Sequence, residues 1–338
     1  MLLLLQTLLL SAGVTVAVRN QGLEGIDNLI VFGDSFSDQG RLSWFTDRQE
    51  APPTGTFIHP SNKTASGGHS WPYFASQALK ATVYNYAVGG ATCTNKLAPR
   101  KSPPPKTPFP SVAEYQVPAF QNDTEWKNES TGTNTLYEDD DGEPTRRPEN
   151  TVYALWIGTN DLGLDGFLTD SQWKRQKPNA TVARDFTDCV WGIFDALYDA
   201  GGRHFVLFNL IPLERTPLYA APRRGGAAQT DFWMAKLEHN TTAVEHRMRE
   251  ATAAANVAFE YGAPFHLLVR RRWPGATFAL LDAHRLLAGL MDGDDNDKKK
   301  RARFEKPAAG PREWYFRCAG DGEFHCKPDK RPLASFMW

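Results

Sequence analysis

Five short apolar runs punctuate the chain, and each stops at a residue that ends a strand. Asn28–Phe32 (NLIVF) is followed by Gly33, and Thr82–Val88 (TVYNYAV) by Gly89 and Gly90. Thr151–Ile157 (TVYALWI) is followed by Gly158, His204–Ile211 (HFVLFNLI) by Pro212, and Ala276–Leu281 by Asp282. Short, nearly continuous apolar runs rich in β-branched residues are the pattern of strands buried on both faces. Between them lie stretches of helical character: Ser66–Lys80 after a turn, Ser111–Asn122, Asn179–Ala200 and Asp231–Asn256. The third has Asn179 or Thr181 as its N-cap and Gly201-Gly202 as its stop. Strands alternating with helices predict a doubly wound α/β fold around a central parallel sheet. No period of 20–50 residues repeats, which argues against solenoids and propellers.

The 338 residues suit one such domain, over 27–338, with loop insertions. Apolar residues make up 41% and charged residues 23%, ordinary globular values, and the formal net charge of −1 does not favour a nucleic-acid partner. Met1–Val18 carries no charged side chain and precedes Arg19. Its apolar stretch before Ser11 is short for a membrane span and suits the apolar part of a signal peptide, with Thr15-Val16-Ala17 as a small-residue cleavage site. Residues 1–18 are therefore read as a signal peptide, the product as extracellular, and no span is expected after cleavage. Sequons at Asn62, Asn122, Asn128, Asn179 and Asn240 fit a secreted glycoprotein. Four cysteines, Cys93, Cys189, Cys318 and Cys326, permit two disulfides in three connectivities. Cys318 and Cys326 bracket a short loop that closes easily, leaving Cys93 with Cys189. No metal is expected, since neither CxxC nor HExxH occurs. Residues 99–150 hold SPPPKTPFP and EDDDGE and read as a long surface insertion; Asp292–Lys306 reads as a solvated charge-rich loop.

Three polar motifs follow three of the strands. Gly33-Asp34-Ser35-Phe36-Ser37-Asp38 places a serine on a tight turn, where glycine permits an unusual backbone and the following amides face a developing oxyanion. Asn85–Thr92 (NYAVGGAT) puts glycines where a ligand can approach the backbone. Gly158-Thr159-Asn160-Asp161 offers a side-chain amide at a strand end. Taken singly, each motif is also read as a turn, a packing glycine or a helix N-cap. Ligands of open α/β sheets bind outside the carboxyl ends of strands, where all three motifs fall.

In order, spacing and position, the three motifs resemble the GDSL/SGNH hydrolase superfamily. GGHSWPYFASQAL, GGRHFVLFNLIPLERTP and the cysteine-bearing tail extend the resemblance over most of 27–338, nearest to the fungal acetylesterases of carbohydrate esterase family sixteen. The resemblance implies a three-layer α/β/α, flavodoxin-like fold and ester hydrolysis without a cofactor. It implies Ser35 as nucleophile, with Ser35, Gly90 and Asn160 as the oxyanion hole and Gly89 as the fallback for Gly90. It points to small ester substrates, acetylated plant-type oligosaccharides among them, with a secreted lipase or phospholipase as the alternative. Trp44, Phe45, Phe57 and Trp71 are candidates for a sugar cleft.

The family's last motif, D-x-x-H, carries the base histidine and its aspartate, and neither is found here. The chain closes on Leu333–Trp338, which reads as the lead-in to that block, so the C-terminus is expected to be truncated before it. Asp282-Ala283-His284 has the wrong spacing, and His325 lies between the last two cysteines. His59, His69, His204, His239, His246 and His266 read as structural. A serine hydroxyl needs a base within hydrogen-bond reach, so a catalytically impaired protein of the same fold is the third reading.

Overall fold

The computed structural model describes residues 25–62, 64, 67–100, 108–164, 166–168, 179–230, 232–292, 316–320 and 324–328. The signal-peptide reading of 1–18, most of the charge-rich loop at 292–306 and the last ten residues lie outside them.

Strands β1 (Asn28–Gly33), β2 (Thr82–Asn85), β3 (Thr151–Trp156), β4 (His204–Phe208) and β5 (Thr277–Leu281) form one parallel sheet in the order β2-β1-β3-β4-β5. Register is set by pairs such as Leu29 with Val83 and Val152, and Phe205 with Tyr153 and Phe278. β1 is buried along its whole length, as a central strand covered on both faces must be. The helices are α1 (Arg41–Arg48), α2 (Trp71–Leu79), α3 (Val117–Glu125), α4 (Thr159–Leu162), α5 (Asn179–Asp199), α6 (Thr241–Pro264) and α7 (Ala283–Asp292). The step from β1 to β2 runs opposite to the later steps. Right-handed crossovers therefore put α2 on one face and α3, α5 and α6 on the other. The packing agrees: α2 touches β1 and β2, while α5 touches α3 and α6. This is the expected three-layer α/β/α arrangement.

Several boundaries differ from expectation for local reasons. The second strand ends at Asn85 rather than Val88, because Asn85 Oδ1 accepts the Ala87 N–H and turns the chain. The fourth ends at Phe208, because both backbone groups of Leu210 pair with the Asn256 side-chain amide at 2.8 Å. The long helix starts at Thr241, not Asp231, because Asn240 caps it by accepting the Ala243 N–H at 3.1 Å. The residues before it instead form a 3₁₀ turn, Lys236–Glu238. Lys236 is fully buried there and donates to the carbonyls of Pro217 and Ala220, which staples the loop after β4. Burial lowers its ammonium pKa to about 8.

The stretch expected as a surface insertion carries core. Phe109, Val112, Val117, Phe120, Leu136 and Tyr137 are all buried and join the main apolar cluster. The helix expected at Ser111–Asn122 is a π-helical turn, Val112–Gln116, that leads into α3, and together they bury Val112, Gln116, Val117 and Phe120. Cys93 is bonded to Cys189, tying the loop after β2 to α5. Strands β6 (Phe316–Gly320) and β7 (Phe324–Pro328) pair antiparallel with Cys318 opposite Cys326. Asn62, Asn122 and Asn240 are exposed, and Asn128 is half-buried. Among the described residues no helix is long and apolar enough to cross a membrane.

Candidate active site

The strand order reverses between β1 and β3, which is where a sheet of this topology opens a crevice at its carboxyl edge. Ser35 follows β1, Gly90 follows β2 and Asn160 follows β3, so all three motifs reach that edge.

Gly33 ends β1 with φ +145°, and a Cβ there would lie 2.1 Å from the Trp156 carbonyl oxygen of β3. Only glycine lets the two strand ends approach so closely. Its backbone is held from both sides by Gln116, which accepts the Gly33 N–H at 2.9 Å and donates to the Gly33 carbonyl at 2.8 Å. Asp34 begins the turn. Its carbonyl accepts from Ser37 and Asp38, and its Oδ1 accepts the Phe36 N–H. Ser35 therefore rides on top of the turn, half-buried. Neither its hydroxyl nor its N–H has a partner among the described residues.

The two glycines after β2 have different surroundings. Gly89 donates its N–H to Asp38 Oδ2 at 2.7 Å. Gly90, at φ +88°, has no acceptor for its N–H among the described residues. A Cβ on Gly90 would meet Phe109 at 2.9 Å. Asn160 sits in the first turn of α4. Its Nδ2 donates to the Ala91 carbonyl at 2.9 Å, and its Oδ1 accepts from Arg100 Nη1 at 2.6 Å. The same Arg100 nitrogen donates to the Gly90 carbonyl at 2.9 Å. The second amide hydrogen of Asn160 is left without a partner among the described residues. The carboxyl edge of the sheet thus carries a half-buried hydroxyl after β1 and, on Ser35, Gly90 and Asn160, three N–H donors with no partner among the described residues.

Beneath these groups lie two buried carboxyls. Asp34 and Asp161 are 0% exposed, and each has one oxygen, Oδ2, with no hydrogen-bond partner. Desolvation raises both from 3.8 to about 7, against the opposing pull of backbone N–H groups and of Arg100. Asp161 Oδ1 accepts the Cys93 N–H at 2.8 Å. Asp38 accepts at Oδ1 from Gly40 and Arg41 and at Oδ2 from Leu42 and Gly89, which joins the start of α1 to the loop after β2.

No described histidine contacts Ser35. His284 opens α7 after β5, three strand spacings from β1, or about 14 Å. Its Nδ1 lies 3.1 Å from the Leu210 carbonyl oxygen. His69 stacks on Tyr73, His204 meets Thr277, His246 meets Glu250 and His266 meets Arg272. His59 packs on Phe57 and His239 on Trp233. His325 stands in β7 opposite Ala319. Among the described residues no ring contact joins any two of the four aromatics named for a sugar cleft. Phe57 packs on Tyr84 of β2, Phe45 on Tyr115, and Trp44 under Arg48. Trp71 reaches the serine turn. It donates to Ser37 Oγ and ends a stack of Phe36, Trp156 and Phe208. Gln116 and Arg100 lie outside the three motifs, and Asp38 stands in the first of them with no role expected for it. Only their positions after folding single them out.

Comparison with known proteins places these features in a family. The family model for GDSL-like lipase/acylhydrolase matches residues 29–300. An acetylesterase of Hypocrea jecorina is 37% identical over 311 residues, 92% of this chain and 82% of that protein. An acetylesterase of Thermothelomyces thermophilus is 29% identical over 200 residues, 56% of this chain and 55% of that one. Among solved structures, an extracellular lipase from Streptomyces rimosus aligns with a TM-score of 0.38 and 13% identity, over 78% of this chain and 82% of the lipase. The chain belongs to the GDSL-like lipase/acylhydrolase family and is a hydrolase of ester bonds.

Proposed function

We propose that this chain is a secreted acetylesterase whose nucleophile is Ser35. The observation that carries the reading is that the Ser35 hydroxyl and three N–H donors with no partner among the described residues, on Ser35, Gly90 and the Asn160 amide, all stand at the carboxyl edge of the sheet after β1, β2 and β3. Ser35 Oγ attacks the ester carbonyl, and the three donors take up the negative charge that develops on its oxygen. Collapse breaks the bond to the alcohol, which leaves with the proton given up by the Ser35 hydroxyl, and water then cleaves the acetyl-serine to acetic acid and the free serine hydroxyl. Donors fixed before the reaction need no reorganisation when the charge appears, which is why such sites accelerate acyl transfer.

Acetyl esters are the substrates that fit best, a reading supported by the two acetylesterase relatives, and acetylated plant-type oligosaccharides are the proposed carriers of those esters. The uncharged leader at 1–18 and the exposed sequons support secretion. A second reading rests on the histidines: with none of those described at Ser35, the base is the missing part, and these 338 residues turn over esters slowly. Acetate release from acetylated xylo-oligosaccharide by the wild type and by Ser35→Ala tests both. Fast release abolished in the variant supports the acetylesterase. Slow release above the variant's supports the impaired form. Equal release by the two proteins sinks both, and preference for long-chain p-nitrophenyl esters sinks the acetyl assignment.

A further inference from the structure

Arg100 lies in none of the three motifs, yet one of its nitrogens joins two of them. Nη1 donates to Asn160 Oδ1 at 2.6 Å, across 60 residues, and to the Gly90 carbonyl at 2.9 Å. The guanidinium stands 5.6 Å from the Phe109 ring, whose edge is also what a Cβ on Gly90 would strike. Phe109 is in turn held at its carbonyl by Asn95 Nδ2, at 2.7 Å.

We propose that Arg100 is a positioning residue for the oxyanion hole, locking the Asn160 amide in the one orientation that points an N–H at the reacting carbonyl. The proposal rests on the acetylesterase reading above. An amide can flip, exchanging its oxygen and nitrogen. In the flipped state the Asn160 oxygen would face the Ala91 carbonyl and its NH₂ would face the guanidinium, and both contacts are repulsive. Ala91 alone bonds one amide hydrogen. Arg100 adds a charge-assisted bond at the acceptor end, which fixes the plane and leaves the second hydrogen directed outward. The cation also polarises the amide, so its remaining N–H is a stronger donor to an oxyanion than to a neutral carbonyl. A group that binds the charged state better than the ground state lowers kcat when lost and leaves KM in place.

The test uses the 338-residue chain, p-nitrophenyl acetate, and Arg100→Met, Arg100→Lys, Asn160→Ala and Ser35→Ala. Arg100→Met is expected to lower kcat about 10- to 100-fold with KM within about twofold, and Arg100→Lys to lose less. The double variant Arg100→Met/Asn160→Ala is expected to be no slower than Asn160→Ala alone, since the proposed effect of the arginine on kcat runs through the amide. In the ¹⁵N–¹H spectrum the Asn160 side-chain pair should lie away from the shifts of free asparagine in the wild type and should move toward them in Arg100→Met. If Arg100→Met does not fold, Arg100→Lys carries the same test through its kcat and KM. Full kcat in the arginine variants, or losses that multiply in the double variant, overturns the proposal while an inactive Ser35→Ala leaves the esterase reading standing. Undiminished turnover by Ser35→Ala overturns both.

Discussion

Asp38 Oδ2 lies 2.7 Å from the backbone nitrogen of Gly89, and that single bond separates two adjacent glycines that look alike in sequence. Gly89 is engaged by the carboxylate that also starts α1. Gly90 keeps its N–H directed away from any described acceptor. Removing the carboxylate leaves four backbone N–H groups without their acceptor. Asp38→Ala is expected to cost about 2–4 kcal/mol of stability, read by urea unfolding, because hydrogen bonds to a charged group are the strong ones. A loss below about 0.5 kcal/mol would show that water replaces the carboxylate without penalty.

Asn160→Ala isolates the side-chain donor of the proposed oxyanion hole. The expected result is a fall of about 100- to 1000-fold in kcat for p-nitrophenyl acetate, with KM changed by less than about threefold. A loss confined to KM would assign the amide to substrate binding in the ground state.

Asp34 and Asp161 give the fold a pH dependence with a definite sign. Each is pushed by burial from 3.8 to about 7, so between those values the native state holds protons that the unfolded chain has released. Stability therefore falls as pH rises from about 4 to about 7 and is level above that. For one carboxyl the rise corresponds to an upper bound of about 4 kcal/mol. Asp161→Asn keeps the acceptor for the Cys93 N–H and removes one titration. Chemical denaturation at pH 5 and pH 8 should show the variant losing about 1–4 kcal/mol less than the wild type across that interval. Identical pH profiles would mean that Asp161 is already charged at pH 5.

The bond between Cys93 and Cys189 closes a separation of 96 residues. A loop of that length restricts the unfolded chain by about 4–5 kcal/mol in the chain-entropy account, so Cys93→Ser/Cys189→Ser should lose about 2–5 kcal/mol in guanidinium unfolding. Cys93 also donates its N–H to Asp161, next to Asn160. The same variant should therefore lose activity at temperatures where it is still folded. Unchanged kcat in the folded double variant would show that α5 does not help hold the loop.

The strands and the order of the motifs along the sheet edge were legible in the chain itself. Runs such as NLIVF and TVYALWI announce buried strands because burial on both faces demands apolar side chains throughout, and Gly33 marks a close approach that no other residue tolerates. Such signals are local, carried by neighbours in sequence. What only folding decided is which groups meet across long separations. Gln116 reaches Gly33 over 83 residues, Arg100 reaches Asn160 over 60, and Asp38 distinguishes Gly89 from Gly90 over 51. The polar composition of 99–150 suggested a surface excursion, yet Phe120 from that stretch is fully buried among Phe32, Tyr86 and Tyr153. Hydrogen-bond partners and core neighbours depend on the order of strands in the sheet and on crossover handedness. Neither leaves a mark in local propensity, so the chain names its strand ends and its serine turn, while the tertiary structure decides which distant groups meet there.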